Sequence, residues 1–389
     1  MKNKNKEKQK KILFVTESLT RGGMEMVLVN IANNLSEKGY DVTVLCHNPI
    51  DHLVTELNNN VRYIYKPRRK FPILRKTPYI RRFFKYNKAV WEHRTSAESL
   101  YKYYVGKEKY DVEIGFYRGP SIKIVSGSTN KKSKKLAWVH TDFKLCNPKS
   151  ITSWFNNIEE VRSAYDKMDN IICVSDKAKE SFNEVIGLKD KSVTVYNLIP
   201  FNKVIAKSFE QIPLKRNKFT IVTVGRLFPD KRQDRLLSAT KKLNEEGYDF
   251  DVWIVGGGIH EEDLKKYCAD NEINNVIFTG MQANPYSYMR NADLFVLTSY
   301  REGFPLVIPE AMACGLPVLS TSCTGPTEAL KNGKYGILVD NSSEGVYNGI
   351  KNILDNKEIL RDYRKKSQER YMDFDEETII KEIIALFEQ

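Results

Sequence analysis

The apolar positions of this chain fall in short, nearly unbroken runs. They occur at 12–16 (ILFVT), 42–46 (VTVLC), 61–65 (VRYIY), 111–115 (DVEIG), 135–139 (KLAWV), 170–174 (NIICV) and 193–196 (VTVY). Between several of them the apolar residues switch to helical spacing. Met24, Val27, Leu28, Ile31 and Leu35, for example, would lay one helix face on a sheet. Unbroken apolar strands alternating with helices predict parallel sheets covered on both faces.

The pattern then restarts, with runs at 219–224 (FTIVTV), 250–255 (FDVWIV), 275–279 (NVIFT), 293–297 (DLFVL), 317–320 (PVLS) and 336–339 (GILV). A chain of 389 residues exceeds what one core usually organises. The expected architecture is therefore α/β, with two Rossmann-like, doubly wound domains in tandem. The first spans 1–199 and the second 218–370. Residues 200–217, with Pro200, Pro213 and mixed polar composition, read as a linker. The closing helical stretch, 371–389, is available to cross back onto the first domain. Ligands of such sheets bind outside the carboxyl ends of the strands, so two facing domains would make a cleft.

Charge divides the chain as the pattern does. Residues 1–199 hold 37 Lys+Arg against 21 Asp+Glu, and the remainder holds 25 against 28. Net charge thus points to the first half as the one that meets an extended anionic partner. The densest stretch, 66–94, has eleven basic residues and one acid, interleaved with aromatic residues. An anionic membrane surface would attract each cation by roughly 1 kcal/mol. A solvated or acceptor-binding face gives the same pattern. Nucleic acid is not expected, because no recognised nucleic-acid fold accompanies the stretch. Six cysteines at irregular spacing contain no CxxC pair, against a disulfide framework or zinc site. The run from Ile12 to Val15 is too short for the core of a signal peptide. The expectation is a cytoplasmic protein, peripheral on the inner face of the plasma membrane.

The most informative segment is REGFPLVIPEAMACGLPVLST, 301–321. Gly303 and Pro305 place Glu302 in a loop, and Glu310 falls on the helix that follows. The start of that helix suits a diphosphate, since its free N–H groups carry about half a unit of positive charge. A carboxylate on each side could take hydroxyls of two sugars. The bare spacing would also fit two solvated acids; GFPL before it and EAMACGLPV after it make chance a poor account.

The segment resembles the signature of glycosyltransferase family 4, a set of retaining enzymes of the GT-B fold. The resemblance continues through VGRLFPDKRQDRLLSA, WIVGGGIHEEDLKKY, VIFTGMQANPYSYMRNADLFVLTS and TGPTEALKNGKYGILV. It implies sugar transfer from a nucleotide diphosphate donor, with a UDP-sugar expected, to a lipid-linked or surface-polymer glycan. It implies that Glu302 contacts donor-sugar hydroxyls, Glu310 the ribose, and Arg226 and Lys231 the diphosphate. Gly303, Phe304, Leu306 and Gly256 belong to the expected donor site. Cations at the diphosphate make chemical sense without a metal, because breaking a glycosyl–phosphate bond leaves growing negative charge. No metal or other cofactor is expected. Two DFD segments, Asp249–Asp251 and Asp373–Asp375, resemble metal-binding DxD but read as a strand start and a helix start.

In the first half, RGGMEMVLVNIANNLSEKGYDVTV resembles the family's first strand–loop–helix. The resemblance places the loop of Gly22 and Gly23 near the donor phosphates or the acceptor; a turn that merely needs glycine fits as well. His140, in LAWVHTD, is similar to the family histidine near the reacting sugar. Two other activities remain compatible with the motifs: a nucleotide-sugar epimerase or phosphorylase on the same fold, and a non-catalytic partner subunit.

Overall fold

The computed structural model describes residues 9–48, 50–66 and 93–388. Most of the basic–aromatic stretch 66–94 lies outside the described residues. Two compact units divide the chain. One runs up to Leu198 and takes in the chain again from Ile379; the other is Ile199–Thr378.

The first unit has a seven-stranded parallel sheet: β1 (Lys11–Thr16), β2 (Asp41–Cys46), β3 (Arg62–Tyr65), β4 (Val112–Gly115), β5 (Lys134–Val139), β6 (Asn170–Cys173) and β7 (Ser192–Thr194), in the order β3-β2-β1-β4-β5-β6-β7. The second has six: β8 (Phe219–Val224), β9 (Phe250–Val255), β10 (Val276–Gly280), β11 (Leu294–Leu297), β12 (Val318–Thr321) and β13 (Ile337–Val339), in the order β10-β9-β8-β11-β12-β13. Each strand lies within a residue or two of an apolar run. Both sheets reverse direction of growth beside their first strand, between β1 and β4 and between β8 and β11. Helices close both faces, so Leu13, Phe14, Ile221 and Phe295 are fully buried. The fold is the expected pair of Rossmann-like units.

Acids placed just ahead of strands tie each sheet at its amino edge. Asp111, Asp169 and Asp293 accept the backbone N–H of Lys11, Lys135 and Thr220, at 2.8, 2.7 and 3.0 Å. Each stands one residue before the neighbouring strand, so one side chain replaces a ladder bond that the strand end would lack.

The expected linker 200–217 is corrected: it contains helix Phe201–Ser208, inside the second unit. Phe201, Val204 and Ser208 are buried at helical spacing. Pro200 marks the helix start rather than a flexible joint, because its missing N–H would be unsatisfied there anyway. The closing stretch 371–389 holds the short turn Tyr371–Phe374 and helix Glu376–Glu388, and the helices Ser343–Asp355 and Ile359–Arg370 precede it. In the first unit, Phe387 meets Tyr40 edge-on at 6.3 Å.

The two DFD segments have protein partners. Asp249 pairs with Lys218 at 2.6 Å, Asp373 with Arg370 and Lys331 at 2.5 and 3.0 Å, and Asp375 accepts the N–H of Thr378 at 2.8 Å. All six cysteines are free thiols. Among the described residues no helix is long and apolar enough to cross a membrane.

Candidate active site

In an open parallel sheet the ligand crevice opens at the strand ends where the order reverses. In the second unit the loops at that point follow β8 and β11. They carry Arg226 and Lys231 on one side and Glu302 on the other.

The β8 loop is built on a glycine turn. Gly225 and Leu227 donate backbone N–H to Val255 and Gly257, both at 3.0 Å, and His260 donates to Leu227 at 3.1 Å. Gly256 has φ +143, and a Cβ there would come within 1.9 Å of the Gly225 carbonyl oxygen. The structure therefore assigns Gly256 a backbone reason to be glycine: it lets the loop bearing Arg226 lie directly on the β9 loop. Arg226 itself is exposed, with its guanidinium 5.0 Å from the Phe228 ring centre.

Lys231 ends the short turn Pro229–Lys231. Its ammonium donates to Glu302 Oε1 at 2.5 Å, and Ser299 Oγ donates to the same oxygen at 2.8 Å. Hydrogen bonds to backbone carbonyls lock the two loops around this pair. Thr298 Oγ1 donates to the Lys231 carbonyl at 3.0 Å, and Tyr300 N to the Asp230 carbonyl at 2.8 Å. The side chains of Lys231 and Glu302 are only 21% and 13% exposed, so solvent screens their attraction less than at an open surface.

Beneath them lies an arginine that sequence reasoning missed. Arg235 is buried, and donates to the carbonyls of Thr298 and Asn341 at 3.2 and 3.0 Å and to Asn341 Oδ1. Asn341 Nδ2 then donates to the Tyr300 carbonyl at 2.9 Å. The only sequence signal was a cation in the apolar register of KRQDRLL.

The remaining expected residues separate. Phe304 is 7% exposed and meets Phe374 edge-on at 5.3 Å, so its ring anchors the loop in the core. Gly303 and Leu306 are partly exposed on the same loop. Glu310, on helix Val307–Ala313, accepts the Tyr286 hydroxyl at 3.2 Å. Burial pushes its carboxyl up to about 7, against the opposing pull of that hydrogen bond.

The strand ends of the first unit look different. Gly22 precedes helix Gly23–Glu37 in extended conformation, and a Cβ there would lie 2.3 Å from Glu25 Oε2. Glycine thus makes room for the unit's own carboxylate, which also accepts Thr20 Oγ1 at 2.9 Å. Gly22 and Gly23 thus open the helix beside an acid of the same unit. His140 Nε2 lies 3.0 Å from the Phe116 carbonyl oxygen. A carbonyl can only accept, so Nε2 carries the proton and Nδ1 keeps its lone pair. Burial lowers the imidazole to about 3, and the ring is neutral at physiological pH.

Comparison with known proteins agrees with this architecture. The family model Glycosyltransferase Family 4 matches residues 21–203, and Glycosyl transferases group 1 matches 204–370. The chain belongs to the glycosyltransferases and has the GT-B fold. It pairs a family 4 first half with a group 1 second half. An uncharacterized glycosyltransferase of Haemophilus influenzae is 26% identical over 95% of this chain and 97% of its own length. A Campylobacter jejuni protein, N-acetylgalactosamine-N,N'-diacetylbacillosaminyl-diphospho-undecaprenol 4-alpha-N-acetylgalactosaminyltransferase, is 26% identical over 94% of this chain and 96% of its own. Anabaena HepE, solved with UDP and glucose, superposes with a TM-score of 0.74 at 20% identity, covering 98% of this chain and 100% of that one.

Proposed function

We propose that the enzyme transfers a sugar from a UDP-sugar to a glycan carried on a lipid diphosphate, with retention of anomeric configuration. The observation that carries this reading is the Lys231–Glu302 contact, which brings a cation and a carboxylate 71 residues apart to the sheet's reversal point. UDP bound to HepE favours the uridine donor, and the diphospho-undecaprenol named for the Campylobacter relative favours the acceptor class.

In this reading Glu302 takes hydroxyls of the donor sugar and Glu310 those of the ribose. The acceptor hydroxyl oxygen attacks the anomeric carbon on the face from which the phosphate departs. The bond from that carbon to the β-phosphate oxygen breaks, and its electron pair leaves with the phosphate. The hydroxyl proton passes to that phosphate oxygen as the new glycosidic bond forms. Arg226 and Lys231 meet the developing charge, a task that otherwise falls to a metal. Neutral His140 accepts a sugar hydroxyl through Nδ1.

The test is to incubate the protein with UDP-sugars and a lipid-diphosphate glycan and read the anomeric configuration by NMR. An α-linked product from an α-donor is expected. An inverted product would end the retaining reading, and epimerised donor without acceptor would replace transfer by epimerisation.

We also propose that the stretch 66–94 meets an anionic lipid surface, on its composition alone. Replacing Arg68, Arg69, Arg81 and Arg82 by glutamate should abolish binding to vesicles of anionic lipid and leave donor binding intact. Unchanged vesicle binding by that variant overturns the membrane reading.

A further inference from the structure

Helix Tyr286–Arg290 takes no part in the chemistry above, yet its first residue touches Glu310. The Tyr286 hydroxyl keeps its proton, because the Glu310 charge and then burial raise it above the ordinary tyrosine range. It is therefore a fixed donor to the carboxylate.

The backbone of Tyr286 is held from two directions. Its N–H donates to Asn284 Oδ1 at 3.2 Å, and its carbonyl accepts Cys314 Sγ at 3.8 Å. Asn284 Nδ2 in turn donates to the Lys207 carbonyl and to Glu210 Oε2, both at 2.8 Å. The strap thus runs from the end of helix Phe201–Ser208 through Asn284 to the helix that carries Glu310. A residue braced in this way can fix the rotamer of the group it touches.

We propose that Tyr286 is a positioning residue for Glu310, engaging one carboxylate oxygen so that the other faces the ribose hydroxyls of a nucleoside diphosphate sugar. The inference rests on the reading of Glu310 as the ribose contact. A hydroxyl donating to a carboxylate also favours the charged form, which accepts hydrogen bonds and donates none.

The test titrates UDP, GDP and ADP, each with its 2′-deoxy and 3′-deoxy forms, into the full chain. The variants are Tyr286→Phe, Glu310→Gln and the double substitution. For the nucleotide that binds, Tyr286→Phe should weaken affinity about tenfold, the loss of one charge-assisted hydrogen bond. Its advantage over the deoxy forms should shrink. The double variant should bind no more weakly than Glu310→Gln alone. In kinetic assays Tyr286→Phe should raise donor KM and leave kcat near wild type.

Equal weakening of the ribose and deoxy nucleotides would mean that Tyr286 only supports the fold, and would overturn the proposal. Lost discrimination in Glu310→Gln but normal discrimination in Tyr286→Phe would overturn it while keeping Glu310 at the ribose. Intact discrimination in Glu310→Gln would remove the reading on which the proposal stands.

Discussion

The two sheets share one strand order around their reversal points, yet they present opposite chemistry there. In the second unit the point holds a shielded cation–carboxylate pair, Lys231 and Glu302, with exposed Arg226 on the same loop. In the first, the loop after β1 opens a helix whose own Glu25 reaches back to Gly22, and the neutral imidazole of His140, after the adjoining β5, lies against the Phe116 carbonyl after β4. Topology thus provides the place and side chains decide the ligand. The second unit suits a charged diphosphate. The first sets an acid, Glu25, beside its helix start.

That contrast is sharpest where charge develops. Lys231→Ala or Arg226→Ala should lower kcat by roughly 10²–10³-fold, by analogy with a lost oxyanion donor, and change donor KM less. Wild-type turnover in both variants would break the comparison, because the second unit would then lack its distinguishing chemistry.

Glu310→Gln comes next, with donor affinity weaker by about 10–100-fold in calorimetry. The carboxyl is raised to about 7, so the donor-free fold binds an extra proton between the ordinary carboxylate range and neutrality. Stability of the free protein should fall as pH rises through that window, because the unfolded chain binds fewer protons there. Donor affinity should instead rise with pH through about 7 as the acceptor form fills, and the Gln variant should be flat. A wild-type affinity that does not change across this range removes the carboxylate from the ribose.

Gly256→Ala separates architecture from chemistry. It forces a Cβ onto the Gly225 carbonyl at a φ that disfavours side chains. The expected cost is about 1–3 kcal/mol, read as a lower Tm without any ligand. A variant as stable as wild type would return Gly256 to the donor.

In the first unit the expected effects are smaller. The pH–rate profile should show no limb near the ordinary histidine value that disappears in His140→Asn, since the ring does not titrate there. A limb lost in that variant would show a charging imidazole and erase the difference between the units. The smallest expected effect is that of a chelator. Activity should persist in EDTA if Arg226 and Lys231 neutralise the leaving phosphate; loss with recovery on adding manganese would move that task to a metal.

The sequence by itself determined the elements and the class. Parallel strands are buried on both faces, so they must be written as unbroken apolar runs, and β1 through β13 follow those runs closely. The motif around Glu302 and Glu310 was legible because loop-breaking Gly303 and Pro305 stand beside a helix-forming stretch. Helix Phe201–Ser208 was misread because two prolines outweighed a short apolar periodicity.

Only the tertiary structure decided what each side chain does. Strand order brings Lys231 to Glu302 and Arg235 to Asn341 across 71 and 106 residues, and no local pattern encodes such distances. It also showed that Gly256 serves the backbone, that Phe304 serves the core, and that Glu25 fills the space beside Gly22. The physical reason is the same in each case. Propensity and periodicity act over a few residues, whereas contact, burial and the pKa that burial shifts belong to neighbours that the chain meets only after it has folded.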